Sequence, residues 1–484
     1  MKIDLTESAT TLVAQLRNKA FTCEELLSAC FDRVDALNPA LNAVIWQDRE
    51  SALSQARLCD AELARGTSRG PLHGLPITVK ESFDLAGSPT TLGIPDCADD
   101  VKSQDSDVVA RYRAAGGIVF GKTNVPLKLV EWQSFNAIYG STSNPWDTTR
   151  TPGGSSGGSA VSVTTGMATL EAGSDIGSSI RNPAHYNGVF GLKPTWNAIS
   201  MRGHLPDGWL GDIDIAVGGP ITRSAEDLAL AFGVLAGPSR FDASQWALAL
   251  PPDHRTRLSQ FRVGVMSANA ACPIDAGYTS ALETFADKLS ASGATVVRDH
   301  HPKIDSEAHF TVYLKLLGAA LSFGQSDEDC KKMQVPFADS AKDIQRVAGM
   351  RMSGLTLSHR EWLALDNQRR QARLAFDAYF QDIDILIAPA AAGPAFPKDE
   401  AGLRGHRRIQ INNHDQPEMQ QLFWSGYSGV VGIPSVVGPM DQLGGLPVGY
   451  QGICGHGRDH TALAFARAVE REIVGYTPPP LIKS

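Results

Sequence analysis

The stretch GGSSGGSAVSVTTGMATLEAGSDIGSSIRNPA, residues 153–184, says most about how this chain folds. It opens with a cluster of glycine and serine, continues through small apolar residues, and ends in a second Gly-Ser cluster at 173–184. Glycine permits tight turns and close approach of two backbones, and uncharged side chains can be buried without a desolvated charge. We therefore expect tight turns that feed a helix of small residues deep in the protein.

Strand and helix patterns alternate on both sides of this stretch. Helical spacing is predicted at about 107–115, 277–292 and 459–471. Short apolar and β-branched runs predict strands, namely LPITVK (75–80), GIVFGK (117–122), FRVGVM (261–266), ATVVRD (294–299) and DILIAPA (384–390). Such alternation is typical of an α/β fold around a mainly parallel sheet.

The ends of the pattern define the domain organisation. Leu12 and Leu16 share a helical face, and Thr22 with Glu25 forms a capping box, so residues from about 6 to 64 are predicted to be an N-terminal helical layer. Residues from about 237 to 380 are predicted to be a less regular inserted or connecting region. We interpret residues 1–484 as a single domain.

Composition excludes several classes of protein. The 484 residues carry 44 basic and 52 acidic side chains, a net charge of −8, which gives no basic surface for nucleic acid or an anionic membrane. No signal peptide or apolar run long enough to span a membrane is present, so a cytoplasmic protein is expected. The seven cysteines contain no CxxC pair and the histidines no metal spacing, so no metal site is predicted.

Two short motifs imitate known sites. GGIVFGKT (116–123) satisfies the phosphate-loop expression, but its apolar centre predicts a buried strand where a flexible loop is required. Gly153, Ser155 and Gly157 have the spacing of a hydrolase nucleophile elbow, but the preceding NPWDTTRTPGG (144–154) is a loop and not a strand. We reject both interpretations.

A lysine offers another route to serine chemistry. A serine without a histidine needs a different base, and a neutral lysine can serve if burial lowers its pKa. Lys80 ends an otherwise apolar strand, which is such an environment. Glycines beside both serine clusters allow backbone N–H groups to point at a substrate carbonyl and form an oxyanion hole.

The chain resembles the amidase signature family from about residue 8 to 472. Besides the two Gly-Ser clusters, the resemblance rests on GLPITVKESFD (74–84), KTNVP (122–126), NPWD (144–147), FGLKPT (190–195), GPITRSAEDLA (219–229) and GLPVGYQ (445–451). It implies one α/β domain built on a single large twisted mixed β-sheet covered on both faces by helices. It also implies hydrolysis of a carboxamide, carbamate or hydrazide C–N bond through an acyl-enzyme, with no cofactor.

The resemblance assigns a role to individual residues. The nucleophile falls on Ser179, the bridging serine on Ser155 after a cis peptide bond, and the base on Lys80. The backbone N–H groups of the oxyanion hole would come from Ile176, Gly177, Ser178 and Ser179. Supporting roles fall on Ser156, Asp175 and Arg181.

Substrate contacts are less closely defined by the sequence. Leu129, Val130 and Trp132 follow TNVP, where the resemblance implies a loop that faces the substrate, and Trp209 lies in a polar loop. Many relatives have glycine where this chain has Ser178, and we expect the added Cβ to narrow the pocket.

Other functions stay open at this point. The chain could be the amidase subunit of a transamidation complex that releases ammonia from glutamine or asparagine. It could also be a non-catalytic interaction protein on the same fold, although Lys80, Ser155 and Ser179 are all present. The expected partner is a small-molecule amide, and a homodimer is compatible with the sequence.

Overall fold

A computed structural model describes residues 3–204, 209 and 211–482. Within them lie fifteen strands: β1 (Val44–Gln47), β2 (Pro76–Lys80), β3 (Ile118–Thr123), β4 (Phe135–Asn136), β5 (Gly140–Ser141), β6 (Leu170–Asp175), β7 (Phe190–Lys193), β8 (Val217–Thr222), β9 (Arg262–Val265), β10 (Thr295–Arg298), β11 (Ile385–Pro389), β12 (Arg408–Ile411), β13 (His414–Pro417), β14 (Ser435–Leu443) and β15 (Leu446–Ile453).

The α-helices of the described residues are α1 (Ala9–Arg17), α2 (Cys23–Leu41), α3 (Arg49–Ala64), α4 (Asp107–Ala114), α5 (Gly157–Thr164), α6 (Arg181–Asn187), α7 (Ala225–Leu235), α8 (Ala276–Ala291), α9 (Ser306–Ala320), α10 (Asp327–Gln334), α11 (Lys342–Ile344), α12 (Met350–Ser353), α13 (His359–Asp382), α14 (Leu422–Gly429) and α15 (Asp459–Glu472). No helix in this part of the chain is long and apolar enough to cross a bilayer.

Eleven of the described strands form one sheet in the order β1-β3-β2-β6-β8-β7-β14-β15-β11-β9-β10. Helices flank this sheet, so the predicted α/β fold with a single large mixed sheet is confirmed. The expectation of a mainly parallel sheet was wrong, because only the β2–β3, β2–β6, β9–β10 and β9–β11 pairs are parallel. Strands β14 and β15 are joined by a tight turn, which makes their pairing antiparallel.

The five strands predicted from the sequence are confirmed. The strands predicted at 75–80, 117–122, 261–266, 294–299 and 384–390 correspond to β2, β3, β9, β10 and β11. The segment GGIVFGKT, which matches the phosphate-loop expression, contains the buried strand β3. In this strand, Lys122 Nζ donates to the carbonyl oxygen of Pro89 at 2.6 Å. Lys122 is therefore held by the protein itself and does not form a phosphate-loop lysine.

The N-terminal layer and the connecting region differ in their relation to the sheet. Helices α1 to α3 lie in the segment predicted to be helical, with the Thr22–Glu25 capping box in place. The segment also contains β1, between α2 and α3, which was not predicted and which pairs with β3 at the edge of the sheet. The region from about 237 to 380 is more regular than expected, because β9 and β10 complete one edge of the sheet. Since both ends of the chain contribute to the same sheet, we propose that it forms one domain.

Parallel pairing brings Lys80 and Asp175 to one edge of the sheet. Strands β2 and β6 are parallel neighbours, so their carboxyl ends, Lys80 and Asp175, lie at the same edge of the sheet. Helix α5 begins immediately after the first Gly-Ser cluster, and all eight of its residues are buried. The Gly-Ser stretch is thus deep in the protein, as its composition predicted.

Candidate active site

The three residues of the expected triad come from separate segments that meet at this edge. Lys80 Nζ is hydrogen-bonded to Ser155 Oγ at 2.6 Å and to Ser174 Oγ at 2.9 Å. The Ser179 carbonyl accepts a hydrogen bond of 3.2 Å from the Ser156 N–H, which joins the two Gly-Ser clusters. Lys80 and Ser155 are therefore in direct contact, and Ser179 lies in the turn bonded to the residue that follows Ser155.

Burial gives Lys80 the property that a base requires. Desolvation lowers the pKa of Lys80 to about 7, and the nearby carboxylates of Asp175 and Glu171 oppose this shift only in part. Burial also raises the pKa of Glu171 to about 8. Glu171 is hydrogen-bonded to the hydroxyls of Thr78 and Thr123. At neutral pH a large fraction of Lys80 is consequently uncharged and can accept a proton.

The loop that carries Ser155 is held in place by hydrogen bonds. The Gly154–Ser155 peptide bond is cis, as the resemblance implied. The Asn182 side chain makes two hydrogen bonds to the Gly154 backbone. Its Oδ1 accepts from the Gly154 N–H at 3.0 Å, and its Nδ2 donates to the Gly154 carbonyl at 2.6 Å. A Cβ at Gly154 would lie 2.5 Å from the carbonyl oxygen of Gln133, so only glycine fits. No strand precedes Ser155 among the described residues 142–156, which agrees with the rejection of a nucleophile elbow.

The turn at residues 176–179 has its carbonyl groups anchored. Tyr313 Oη donates to the Ile176 carbonyl at 3.0 Å, Trp132 Nε1 to the Gly177 carbonyl at 2.7 Å, and Asn182 Nδ2 to the Ser178 carbonyl at 2.8 Å. In a trans peptide the N–H points opposite to the carbonyl. These three bonds therefore fix the directions of the N–H groups that follow each carbonyl.

One of the four expected oxyanion donors is engaged elsewhere. The Ser178 N–H donates to Asp175 Oδ1 at 2.9 Å, so this N–H is not available to an oxyanion. The N–H groups of Ile176, Gly177 and Ser179 have no hydrogen-bond acceptor within the described part of the chain. They stay our proposed donors.

Asp175 and Arg181 form a buried ion pair beneath this turn. The two side chains make hydrogen bonds of 2.8 and 3.0 Å, and the Asp175 carboxylate also accepts from the Ile180 N–H. Burial favours the neutral acid, but the Arg181 guanidinium and these bonds together hold the pKa of Asp175 below its ordinary value. Ser156 supports the same region, because its Oγ donates to the Ser174 carbonyl at 3.3 Å.

We expect Asp175→Asn to destabilise the fold by about 3 to 5 kcal/mol, because it leaves the buried Arg181 guanidinium without its counter-ion. The lowered pKa means that this stabilisation is present above about pH 4 and is lost as the pH falls through the folded-state pKa. Urea unfolding measures the change. The control is Asp35→Asn, which removes an exposed pair with Arg49 and should cost less than about 1 kcal/mol. Equal losses in the two variants would contradict this account.

A small cavity of about 20 Å³ adjoins Ser179. By the same measure one water needs about 10 to 15 Å³, so the cavity as formed accepts a very small group. Its walls consist of Leu129, Val130, Glu131, Trp132, Ile176, Gly177, Ser179, Leu317, Leu321, Arg351, Arg404 and Leu422. Three of the four residues expected to contact the substrate, Leu129, Val130 and Trp132, line this cavity, whereas Trp209 does not. Its indole is exposed, packs against Phe323 and donates to the Gly211 carbonyl.

Ser178 does not narrow this cavity in the expected way. Its side chain is completely buried, and Ser178 is not among the lining residues. Its backbone has φ = 78°, in the left-handed region that favours glycine, and its hydroxyl has no hydrogen-bond partner among the described residues. The side chain is therefore a local cost to stability and not a wall of the pocket.

We predict that Ser178→Gly stabilises the protein by about 1 kcal/mol. Removing left-handed strain and an unpaired hydroxyl gains about 2 kcal/mol or more, and the greater chain entropy of glycine offsets about half of that gain. Ser178→Ala removes the hydroxyl but keeps the Cβ, so its stability should lie between those of the wild type and the glycine variant. Thermal unfolding of the three proteins tests this order, and a glycine variant less stable than the alanine variant would refute it.

The described residues contain one group with the composition of a metal site, Cys59, Glu62 and His73. Two of its three side chains are engaged within the protein: Arg69 pairs with Glu62 at 2.8 Å, and the Arg69 N–H donates to His73 Nδ1 at 3.0 Å. Cys59 and Glu62 belong to α3, and His73 lies between α3 and β2.

Several residues of the site were not predicted from the sequence. Ser174 lies within the second Gly-Ser cluster, directly before Asp175 at the end of β6. This position was the available signal. Asn182 and Tyr313 carry no such signal, because a helical asparagine is usually exposed and a helical tyrosine commonly packs without a role in a site. Arg351 and Arg404 come from segments that sequence alone did not connect with Ser179.

Comparisons with known proteins identify the family of this chain. The family model described as Amidase matches residues 25–463. Indoleacetamide hydrolase of Bradyrhizobium diazoefficiens is 30% identical over 480 residues, which cover 96% of this chain and 86% of that enzyme. A glutamyl-tRNA(Gln) amidotransferase subunit of Azoarcus sp. is 31% identical over 495 residues, covering 96% of this chain and 97% of the relative.

Solved structures lead to the same family. A crystal structure of an amidase is 26% identical, has a TM-score of 0.78, and is matched over 96% of this chain and 99% of its own. The family model, the two relatives and the fold therefore all identify the same family. This chain belongs to the amidase signature family and is an amidohydrolase.

Proposed function

We propose that this chain hydrolyses a carboxamide through an acyl-enzyme on Ser179, with Ser155 and Lys80 as the proton relay. The observation that carries the proposal is the 2.6 Å hydrogen bond between Lys80 Nζ and Ser155 Oγ, at a lysine whose pKa burial lowers to about 7. Unlike a solvated lysine, Lys80 can accept a proton at neutral pH. Neither a metal nor an organic cofactor is needed for the steps below.

Acylation follows from this arrangement. Neutral Lys80 takes the proton of Ser155 Oγ while Ser155 takes that of Ser179 Oγ, and Ser179 Oγ forms a bond to the substrate carbonyl carbon. The carbonyl oxygen becomes an oxyanion, which the N–H groups of Ile176, Gly177 and Ser179 stabilise. When the C–N bond breaks, the proton returns through Ser155 to the leaving nitrogen. Ammonia or an amine departs and an ester on Ser179 is left.

Deacylation repeats the relay with water. Lys80, again neutral, accepts a proton through Ser155 as a water oxygen attacks the acyl carbonyl carbon. Collapse of the second oxyanion breaks the ester bond, and the proton goes back to Ser179 Oγ. The carboxylic acid is released and ionises, so the enzyme returns to its starting state.

The size of the cavity indicates a small acyl group. About 20 Å³ beside Ser179 leaves no room for a long alkyl chain unless its walls move. Apolar walls from Leu317, Leu321 and Leu422 favour the hydrocarbon part of such a group. We therefore propose that the substrate is an amide with a short acyl chain.

A second candidate is the amidase subunit of a transamidation complex. It is favoured by the 31% identity with the glutamyl-tRNA(Gln) amidotransferase subunit over nearly the whole chain. A protein of this kind would release ammonia from glutamine or asparagine for a partner enzyme. The purified chain should then show little activity on simple amides without that partner.

One experiment separates the two candidates. The purified chain alone is incubated with short primary amides, aryl amides, glutamine and asparagine, and released ammonia is measured. Turnover of short primary amides that is lost in Ser179→Ala supports the first proposal. Turnover of glutamine or asparagine only after addition of partner subunits supports the second. Unchanged turnover in Ser179→Ala would refute the assignment of the site.

A further inference from the structure

Glu171, the second residue of β6, is a completely buried carboxyl group. Its oxygens are hydrogen-bonded to two hydroxyls, Thr78 Oγ1 and, at 3.1 Å, Thr123 Oγ1. Within the described part of the chain it forms no ion pair with an arginine, lysine or histidine. Buried carboxyl groups in proteins are normally paired with a cation, so Glu171 is an unusual residue of the core.

Both threonines are in turn hydrogen-bonded to serines of α5. Thr78 Oγ1 lies 3.0 Å from Ser162 Oγ, and Thr123 Oγ1 lies 2.9 Å from Ser159 Oγ. All four of these residues are buried. A hydroxyl can either donate or accept, so the network can bond to a protonated or to an ionised carboxyl group. Glu171 can therefore change its charge without losing its hydrogen bonds.

Glu171 and Lys80 lie on the same face of the sheet. Thr78 is the register partner of Glu171 in the parallel pair of β2 and β6, and Lys80 follows Thr78 by two residues. Register partners and alternate residues of a strand share a face. Burial is the main influence on both pKa values, but the Glu171 carboxylate opposes the lowering of the Lys80 pKa, and the Lys80 ammonium opposes the raising of the Glu171 pKa. Each group thus favours the charged form of the other.

The other titratable groups around this pair are engaged differently. Asp175 and Glu81 also act on Lys80, but Asp175 is in the ion pair beneath the turn, and Glu81 accepts hydrogen bonds from two backbone N–H groups. Tyr112 Oη donates to the Glu171 carbonyl at 3.2 Å, and burial raises the pKa of this phenol well above its ordinary value, so it is neutral. Helix α5 and strand β8, which pack against β6, carry no titratable side chain. The charge of Glu171 is therefore coupled chiefly to that of Lys80.

We infer that Glu171 is a positioning residue that acts through Lys80, because its carboxylate stabilises the ammonium formed when Lys80 accepts the proton of Ser179. The inference rests on the proposed function, since it takes Lys80 to be the base. No proton passes through Glu171, which acts by its charge. Two groups that favour each other's charged forms titrate as a coupled pair, in two steps that belong to neither group alone. The rise of kcat/KM with pH should therefore extend over a wider range than a single titration.

The test compares the pH dependence of kcat/KM in the wild type and in Glu171→Gln, which keeps the size of the side chain and can still bond to the hydroxyls. The variant should show a single one-proton rise, centred about one pH unit below the midpoint of the wild-type rise, because the Lys80 ammonium has lost its counter-charge. At high pH its kcat/KM should be lower by about 3- to 10-fold, because the lysine is then a weaker base.

Two further variants separate this role from a structural one. Thr123→Val keeps the carboxyl group but removes a hydroxyl that favours its ionised form, so its profile should lie between those of the wild type and Glu171→Gln. Glu470→Gln is the matched control, because burial also raises the pKa of Glu470 to about 7, but Lys80 is not among the groups that act on it. That variant should keep the wild-type profile. A rate that falls equally at every pH in Glu171→Gln, with the wild-type midpoint and width, would indicate a structural role and overturn the inference.

A second readout does not depend on turnover. A fluorophosphonate should label Ser179, and the rate of labelling should rise with pH because it requires the same neutral base. Glu171→Gln should shift this rise to lower pH by the same amount as the rise in kcat/KM. Failure of Ser179 to be labelled in the wild type would contradict the proposed function itself. Labelling of both proteins with the same pH dependence would overturn only the role of Glu171.

Discussion

Ser179→Ala is expected to lower kcat by about 10⁴-fold or more on any amide that the wild type hydrolyses. The reason is that alanine removes the only atom proposed to form the acyl bond, and loss of a covalent nucleophile has effects of this size or larger in other serine hydrolases. Steady-state release of ammonia measures the loss. The turn is held through backbone carbonyls and Asp175, so the variant should unfold at nearly the wild-type temperature.

Ser155→Ala provides the comparison for that result. Ser155 only relays a proton, and water can take its place between Ser179 and Lys80, so its loss should cost less than that of Ser179. Residual activity of Ser179→Ala within about tenfold of wild type would contradict the assignment of the nucleophile. So would an order in which Ser155→Ala is the more damaged variant.

The second large effect concerns Lys80 and pH. In the wild type, kcat/KM should rise as pH increases through about 7, because the neutral amine is the active form and burial places the pKa of Lys80 there. Lys80→Ala should remove this rise and lower kcat/KM for amides by about 10²- to 10⁴-fold. Matched esters should lose less, because their leaving groups depart without the proton that Lys80 returns. The measurement is the ratio of amide to ester rates over a pH series.

Other titrating groups near the site require controls. Burial lowers the pKa of His204 to about 3, so this neighbour of Lys80 is neutral throughout the relevant range. Glu131 lines the cavity and has a pKa raised by burial to about 7, so it could produce a change at the same pH. Glu131→Gln should keep the rise in kcat/KM. A rise that persists in Lys80→Ala but disappears in Glu131→Gln would show that the glutamate is the group observed.

Local patterns predicted the parts of this fold that depend on neighbouring residues. The apolar run before Lys80 was sufficient to identify β2, and the apolar centre of GGIVFGKT identified β3 and excluded a phosphate loop. The glycine and serine clusters indicated the buried helix α5 and the turn at 176–179. In each case, the burial of the segment follows from its own side chains.

Features that depend on distant contacts could not be predicted in this way. The direction of strand pairing follows from how the later segments return to the sheet, and so the sheet was expected to be more parallel than it is. The use of the Ser178 N–H by Asp175 depends on how the turn bends. The presence of Arg351 and Arg404 beside Ser179 depends on how segments far apart in the chain pack together.

The most direct test of this account is to identify the residue that carries the acyl group. Wild-type protein is mixed with a slowly hydrolysed ester or amide, quenched in acid during turnover, digested and examined by mass spectrometry. We predict a mass increase equal to the acyl group minus one hydrogen on the peptide that contains Ser179, absent from Ser179→Ala and from protein without substrate. An adduct on Ser155 or on any other residue, which survives in Ser179→Ala, would contradict the central claim.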